Sequence, residues 1–408
     1  MTGALAASVL ALAPAAQAGE PLTRFAEPGG NGPAASCPDS DPCSLHDAVG
    51  ASAPAGSQVF MKPGTYTLAS TVAVANNIDL RSETGFSDDV VIDSSADVAV
   101  FVAFSSGNSE LEDFTIEHDT AVAAGSYGLH LEGGIARRLF VDSGGSGQFA
   151  CHLGMSLLRD SICVNTRTTN GGIAVGMSTA VDLFPALNNV TAVATGPTGT
   201  GLFLAATANG ADPVLTGRNV IAEGALTDQQ VSAVAGASAV VNMFHSNFDS
   251  VSALGSGGTE SVTNVKENDN QNAPELLDAD YRQLQNSPTI DAGDNSSAIS
   301  AGDIDGDTRI QGDAVDIGAD EFQSLPTTRI TRKPAKKTRK RTARFRFTSD
   351  DDANTFECKL DSRPYRNCQS GVRYRRLSRK RHIFRVRAVN VLGDPDPTPA
   401  TYRWKVKK

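Results

Sequence analysis

The chain has 408 residues, enough for two domains, with a 40% hydrophobic fraction able to bury a core and only 20% charged residues. Its 38 glycines, its many Thr, Asn, Asp and Ser residues and its short apolar runs point to a turn-rich all-β chain. After the first twenty residues no stretch is apolar and long enough to span a bilayer as a helix. Residues 1–323 carry 11 Lys/Arg against 39 Asp/Glu and residues 324–408 carry 25 against 7, so the net charge of −10 joins a −28 segment to a +18 segment. So abrupt a change of sign predicts a domain boundary.

In chain order, residues 1–18 read as a secretory signal, with an apolar stretch from Ala4 to Ala13 and small residues, Ala16 and Ala18, before Gly19. The six cysteines fall in near pairs, Cys37 with Cys43, Cys151 with Cys163 and Cys358 with Cys368. Close even pairing predicts local disulfides formed in an oxidising compartment, whereas no pair has the CxxC spacing of a zinc site. Ser44 followed by Asp47 is a capping pattern that predicts a short helix to about Ser52, ended by Pro54 and Gly56. Strands are expected at Val59-Phe60-Met61 and Tyr66-Thr67-Leu68.

From about 72 to 250 a weak repeat of the form Gly-apolar-x-apolar begins at Gly128, Gly154, Gly172 and Gly201, each followed by a second apolar run such as Leu139-Phe140-Val141 or Ile162-Cys163-Val164. Short strands at an imperfect period in the twenties, without helices between them, favour a β-solenoid over a sandwich.

Seven carboxylates lie in the twenty residues 303–322, DIDGDTRIQGDAVDIGADEF. Neither possible frame satisfies an EF-hand, which needs Gly at position 6 and Glu at position 12. Asp303, Asp305 and Asp307 are the ligands a looser calcium site would use, and calcium is the only cofactor the chain suggests; none is required. The stronger reading is turn chemistry, with Asp side chains binding their own backbone and Val315, Ile317 and Phe322 covering the last coil.

The stretch from Cys43 to Leu68 resembles the N-terminal cap and first coil of exported bacterial right-handed parallel β-helix proteins of the pectate-lyase-like superfold. Residues 287–322 resemble the C-terminal end of the same group, the choice-of-anchor Q type. The resemblance implies an all-β, right-handed parallel β-helix over 19–323. Polysaccharide lyases and hydrolases of that superfold work from grooves along the coils, but their motif sets are not found together on successive coils here. Glu117, His118, Asp142 and Asp160 are the weak catalytic candidates among the polar coil residues, which also include His130, Glu132, the pair Arg137-Arg138, Arg159 and Asp182. No Ser-His-Asp elbow, P-loop, dinucleotide fingerprint or HExxH appears.

Residues 324–344 read as a basic linker, and Arg332, Lys333, Lys336, Lys337, Arg339, Lys340 and Arg341 as a polyanion-binding segment. From 345 to 408 a period-two alternation predicts a small β-sandwich, stapled by Cys358 and Cys368. It resembles the immunoglobulin-like or fibronectin-type-III-like modules of exported bacterial proteins, except that Arg and Lys fill outward positions. The functional expectation is a secreted or cell-surface protein, non-catalytic, that binds polysaccharide or anionic envelope polymer rather than a specific nucleic acid. The alternative is a polysaccharide lyase or glycoside hydrolase.

Overall fold

The computed structural model describes residues 22–408 apart from 75–76, 104–108, 122–124, 169–170, 264–268, 275, 324, 351–354 and 391–394. The expected signal at 1–18 lies outside the described residues. The chain divides into two units, Met1–Phe322 and Gln323–Lys408.

The first unit is a parallel β-solenoid whose 18 strands form one continuous sheet. Its rungs stack in three ladders. In ladder A, Val59 pairs in turn with Leu80, Leu111, Ala136, Leu158, Leu187, Gly217 and Met243. In ladder B the row runs Tyr66, Ile92, Ile116, Val141, Cys163, Ala192 and Ala222. In ladder C it runs Val72, Val100, Leu129, Cys151, Val175, Leu202 and Gln229. These inward rows are buried along their length and form one aliphatic core. Neighbouring rungs lie about 4.8 Å apart, so like side chains stack and remove each other's apolar area from water.

The repeat read from the glycines is only partly in phase with these rungs. Gly128 and Gly201 occupy equivalent places just before Leu129 and Leu202, whereas Gly154 lies beyond Leu153, past the rung that holds Leu131. Glycine here answers local crowding, so it does not mark one position of the coil.

Between ladders A and B the chain turns sharply at one residue per coil. Asp113, Arg138, Asp160, Asn189, Asn219 and His245 all have φ between 46° and 63°. Asn and Asp tolerate this left-handed conformation better than most residues and also hydrogen-bond locally. The side chains stack as well: Asn219 Nδ2 donates to Asn189 Oδ1 at 2.9 Å, and Asn189 Nδ2 to Asp160 Oδ1 at 3.1 Å.

At the N-terminal end a five-residue helix, α1 (Leu45–Val49), packs Leu45, Ala48 and Val49 inward, with Ser44 Oγ accepting from Asp47 N at 3.2 Å. It stops at Val49, short of the expected Ser52. Arg24, fully buried, plugs this end by donating to the carbonyls of Ala34, Ala35, Asp47 and Ala48. All three expected cysteine pairs are disulfides. Cys151–Cys163 crosses the hollow of one coil, from ladder C to ladder B.

The acidic closing stretch departs from expectation. It does not cover the last coil but runs back along the flank of the solenoid as a strap. Gly318 N donates to Asn219 O, Ala319 N to Thr191 Oγ1, and Ser300 Oγ to Asp160. Ile304 and Ala319 pack on Ile162 and Val164, with Phe140 and Tyr281 beside them. The physical reason lies in ladder B, where these coils are apolar on their outer as well as their inner face and need covering on both.

The second unit encloses an aromatic core of Phe345, Phe347, Phe384, Tyr402 and Trp404 between small, mainly antiparallel sheets. Phe345 and Phe384 stack with ring centroids 3.9 Å apart. Residues 324–344, expected as a linker, belong to this unit. Thr328–Arg332 pairs with Arg346–Ser349, Lys337–Thr338 with Ala400–Val406, and Ala343–Arg344 with Arg373–Tyr374. Thr328, Ala343 and the Tyr402 hydroxyl, which donates to Pro334 O, hold this basic stretch to the core, which its charge alone did not reveal.

Candidate functional site

The strap does more than cover apolar surface. Asp305 of the strap, with Asp280 and Arg282 from the segment that precedes it, walls a cleft of about 620 Å³ floored by Phe86, Thr115, Glu117 and Phe140. A second depression of about 470 Å³ shares Glu117 and Phe140 and continues past Asp93, Asp119 and Asp142 to Thr166 and Thr168. Together they form one acidic groove on the outside of the coils.

The floor of the groove is a row of carboxylates. Asp93 pairs with Glu117 and Glu117 with Asp142 on three adjacent rungs. Parallel in-register strands place them on one outward face, because successive side chains alternate. Burial raises the carboxyl of Asp142 above the usual range; Thr166 Oγ1, donating to it at 3.1 Å, opposes this, and the nearby Glu117 and Asp119 charges add to it. Arg282 is committed to Asp305, with contacts of 2.6 and 2.9 Å. Burial would depress its basicity, but the Asp305 pairing outweighs that and raises it, so this cation is held as half of an ion pair.

The sequence candidates therefore separate. Glu117 and Asp142 come together in the groove. His118 is beside them in sequence but is buried, with Nδ1 2.8 Å from Ser143 Oγ and Nε2 2.9 Å from Ala96 O. With both ring nitrogens engaged and burial lowering its basicity, it holds the corner between coils. Asp160 is likewise buried, a member of the corner stack bonded to Asn189 and Ser300 with Arg309 Nε at 3.8 Å. It is structural.

Asp303, Asp305 and Asp307 are not brought together around one point. Asp303 Oδ1 accepts from the amides of Asp305 and Asp307 at 3.1 and 2.8 Å, and its Oδ2 accepts from Glu321 N at 3.0 Å. Asp305 faces Arg282. The acidic run is instead a clamp on backbone amides: Asp316 accepts from the amides of Asp291 and Phe322, Asp320 from that of Gln283, and Glu321 from those of Gln311 and Asp316. Arg309, buried at its centre, donates to the carbonyls of Gly318 and Ala319. The local turn chemistry is as expected, but its place in the fold is not.

Glu112, Asp113, Arg137 and Arg138 form an ion-pair stack on the outer face of ladder A, with Arg137 2.7 Å from Glu112 and Arg138 2.5 Å from Asp113. Each charge there is paired along the stack, so the cluster braces the coils. In the second unit the seven basic candidates from Arg332 to Arg341 are all exposed. Among the described residues only two ion pairs form there, His382–Asp361 and Arg387–Glu357, which leaves the unit strongly cationic.

No protein-family model, curated protein or solved structure matches this chain.

Proposed function

We propose that the chain is an exported, non-catalytic protein that binds polysaccharide in the acidic groove, and that it belongs to the pectate-lyase-like β-helix group it resembles. The observation that carries this reading is the row Asp93–Glu117–Asp142, flanked by Phe140 and by the exposed ring of Phe86. Carboxylates accept hydrogen bonds from sugar hydroxyls, and aromatic faces pack on the apolar side of a pyranose ring. A groove so acidic repels uronic acids, so the glycan that suits it is neutral or carries amino groups. Three disulfides support an oxidising compartment and therefore export. The cationic second unit would hold anionic envelope polymer through the exposed Arg332–Arg341 segment.

A second reading draws on Asp142. A carboxyl with a raised pKa one rung from Glu117 is the pattern of a glycosidase acid beside its partner carboxylate. One experiment addresses both. The mature protein and its Glu117→Gln variant are assayed for binding and for released reducing ends on neutral, amino-sugar and uronate polysaccharides. Binding of a neutral or amino-sugar polymer without products, weakened at least tenfold in the variant, supports the first reading. Products that disappear in the variant establish the second, and binding of neither class by the wild type defeats both.

A further inference from the structure

A different face carries a second site. On the outer side of ladder C, His130 and Glu132 occupy alternate positions of one strand, and His152 is paired directly across the rung from His130. His130 Nε2 contacts Glu132 Oε1. The two imidazoles meet edge to face with centroids 4.6 Å apart. One ligand atom from each of the three residues lies within 4.8 Å of the other two, the only such group of three or more His, Cys, Asp or Glu among the described residues. Gly154 neighbours Glu132, and a β-carbon there would stand 2.6 Å from Glu132 Oε2, so the glycine leaves room for the carboxylate.

A packing role accounts for only part of this. His152 is 7% exposed, and its Nδ1 is buried with no hydrogen-bond partner. An orphaned buried imidazole nitrogen costs about 1–3 kcal/mol unless something takes its lone pair or proton. Tyr127 and Phe149 hold the ring in place at 4.7 and 5.1 Å, and Phe101 backs His130 at 5.0 Å. The side chains of His130 and Glu132 remain 17% and 30% exposed, so the cluster opens to solvent on one side.

We propose that His130, Glu132 and His152 form a binding site for a divalent transition-metal ion of the zinc type, with one coordination position open. Two imidazoles and a carboxylate suit zinc, copper or nickel, whereas calcium and magnesium prefer oxygen alone. Bond lengths of about 2.0–2.2 Å require the three ligand atoms to rearrange around the ion, the direct His130–Glu132 contact opening to admit it, which side-chain rotation on one strand face allows. The site lies on ladder C and is independent of the groove on ladder B.

The test uses the full chain without an affinity tag, stripped with chelator and titrated with zinc chloride. The expected result is one equivalent bound, with affinity about a hundredfold or more weaker in Glu132→Gln and in His130→Gln, since even outer-shell losses cost 10–100-fold. Calcium and magnesium at the same concentration should not compete. Both variants change partly exposed side chains, and their circular dichroism should match the wild type. Cobalt(II) added to the wild type provides a readout that needs no variant, because nitrogen ligation at low coordination number gives intense visible bands. Zinc uptake unchanged in both variants, or a cobalt spectrum no different from the aqueous ion, would overturn the proposal.

Discussion

Asn189 shows how much a single side chain does in this fold. It sits in the left-handed region at the A–B corner, receives a hydrogen bond from Asn219 and donates one to Asp160. Replacing it with alanine keeps the unfavourable backbone, at about 1–2 kcal/mol, and strands the two buried partners, at about 1–3 kcal/mol. Asn189→Ala should therefore cost about 2–4 kcal/mol in a urea titration, and Asn189→Gly should recover part of that. Equal losses in the two variants would mean that backbone conformation contributes nothing. The corner residues had a sequence signal, Asp or Asn at four of the six sites, but Arg138 and His245 break the pattern and the spacing varies with loop length. Asp160, a catalytic candidate in the sequence, is structural because its buried carboxylate is taken up by Asn189, Ser300 and Arg309.

At the scale of elements, the strap is where sequence reading and structure part. Its Asp-rich turns were legible because short side chains that bond their own backbone follow local rules. Its docking place was not, since it depends on contacts across 128 residues for Ala319 with Thr191 and 140 for Ser300 with Asp160. One clue was present. Ile162-Cys163-Val164 is apolar at every position, the pattern of a strand covered on both faces. Truncating Ile304, which packs on that strand, should cost about 2–4 kcal/mol and make the strap the first site cut in limited proteolysis. If Ile304→Ala leaves cleavage unchanged, the strap is held by its polar clamp alone.

That clamp also makes the strap sensitive to pH. Burial pushes Asp303 and Glu321 up to about 7 and Asp316 and Asp320 up to about 6, although the amides bonded to each oppose it. Carboxyls in an unfolded chain titrate near 4, so between about pH 4 and 7 the folded strap binds more protons than the unfolded one. These groups therefore lose stability for the fold as pH rises through that window. The buried His118 and His152, whose basicity is lowered, act in the opposite direction below about 6.5. Comparing wild type with Asp303→Asn removes the histidine contribution, which both share. The wild type should lose more stability than the variant between pH 5 and 7.5, measured as the change in unfolding midpoint, and parallel profiles would count against a protonated Asp303.

For the whole molecule, the division of charge predicts where an anionic polymer should bind. The segment 1–323 carries −28 and the segment 324–408 carries +18. Binding of the chain to an anionic polymer such as polyphosphate should fall steeply with salt, since exposed cations are screened over about 8–10 Å at physiological ionic strength. Lys336→Glu with Lys337→Glu should weaken it further while leaving the unfolding free energy within about 1 kcal/mol of wild type, because both side chains are exposed. Salt-independent binding would assign the contact to other chemistry. The all-β class, the solenoid and the charge boundary were readable from composition and recurrence. The groove was not, because its walls come from parts of the chain that meet only after the strap returns.

The returning strap also sets an order of events during synthesis. Coils can stack as they leave the ribosome, but the outer face bearing Phe140, Ile162 and Val164 has no cover until Ile304 and Ala319 arrive. At about 5–20 residues per second that wait is on the order of ten seconds. For that interval the nascent chain presents a greasy flank to whatever is near. A chaperone, a secretion channel or a second nascent chain could occupy it, and the last stretch of the solenoid to be made is the one that ends the exposure.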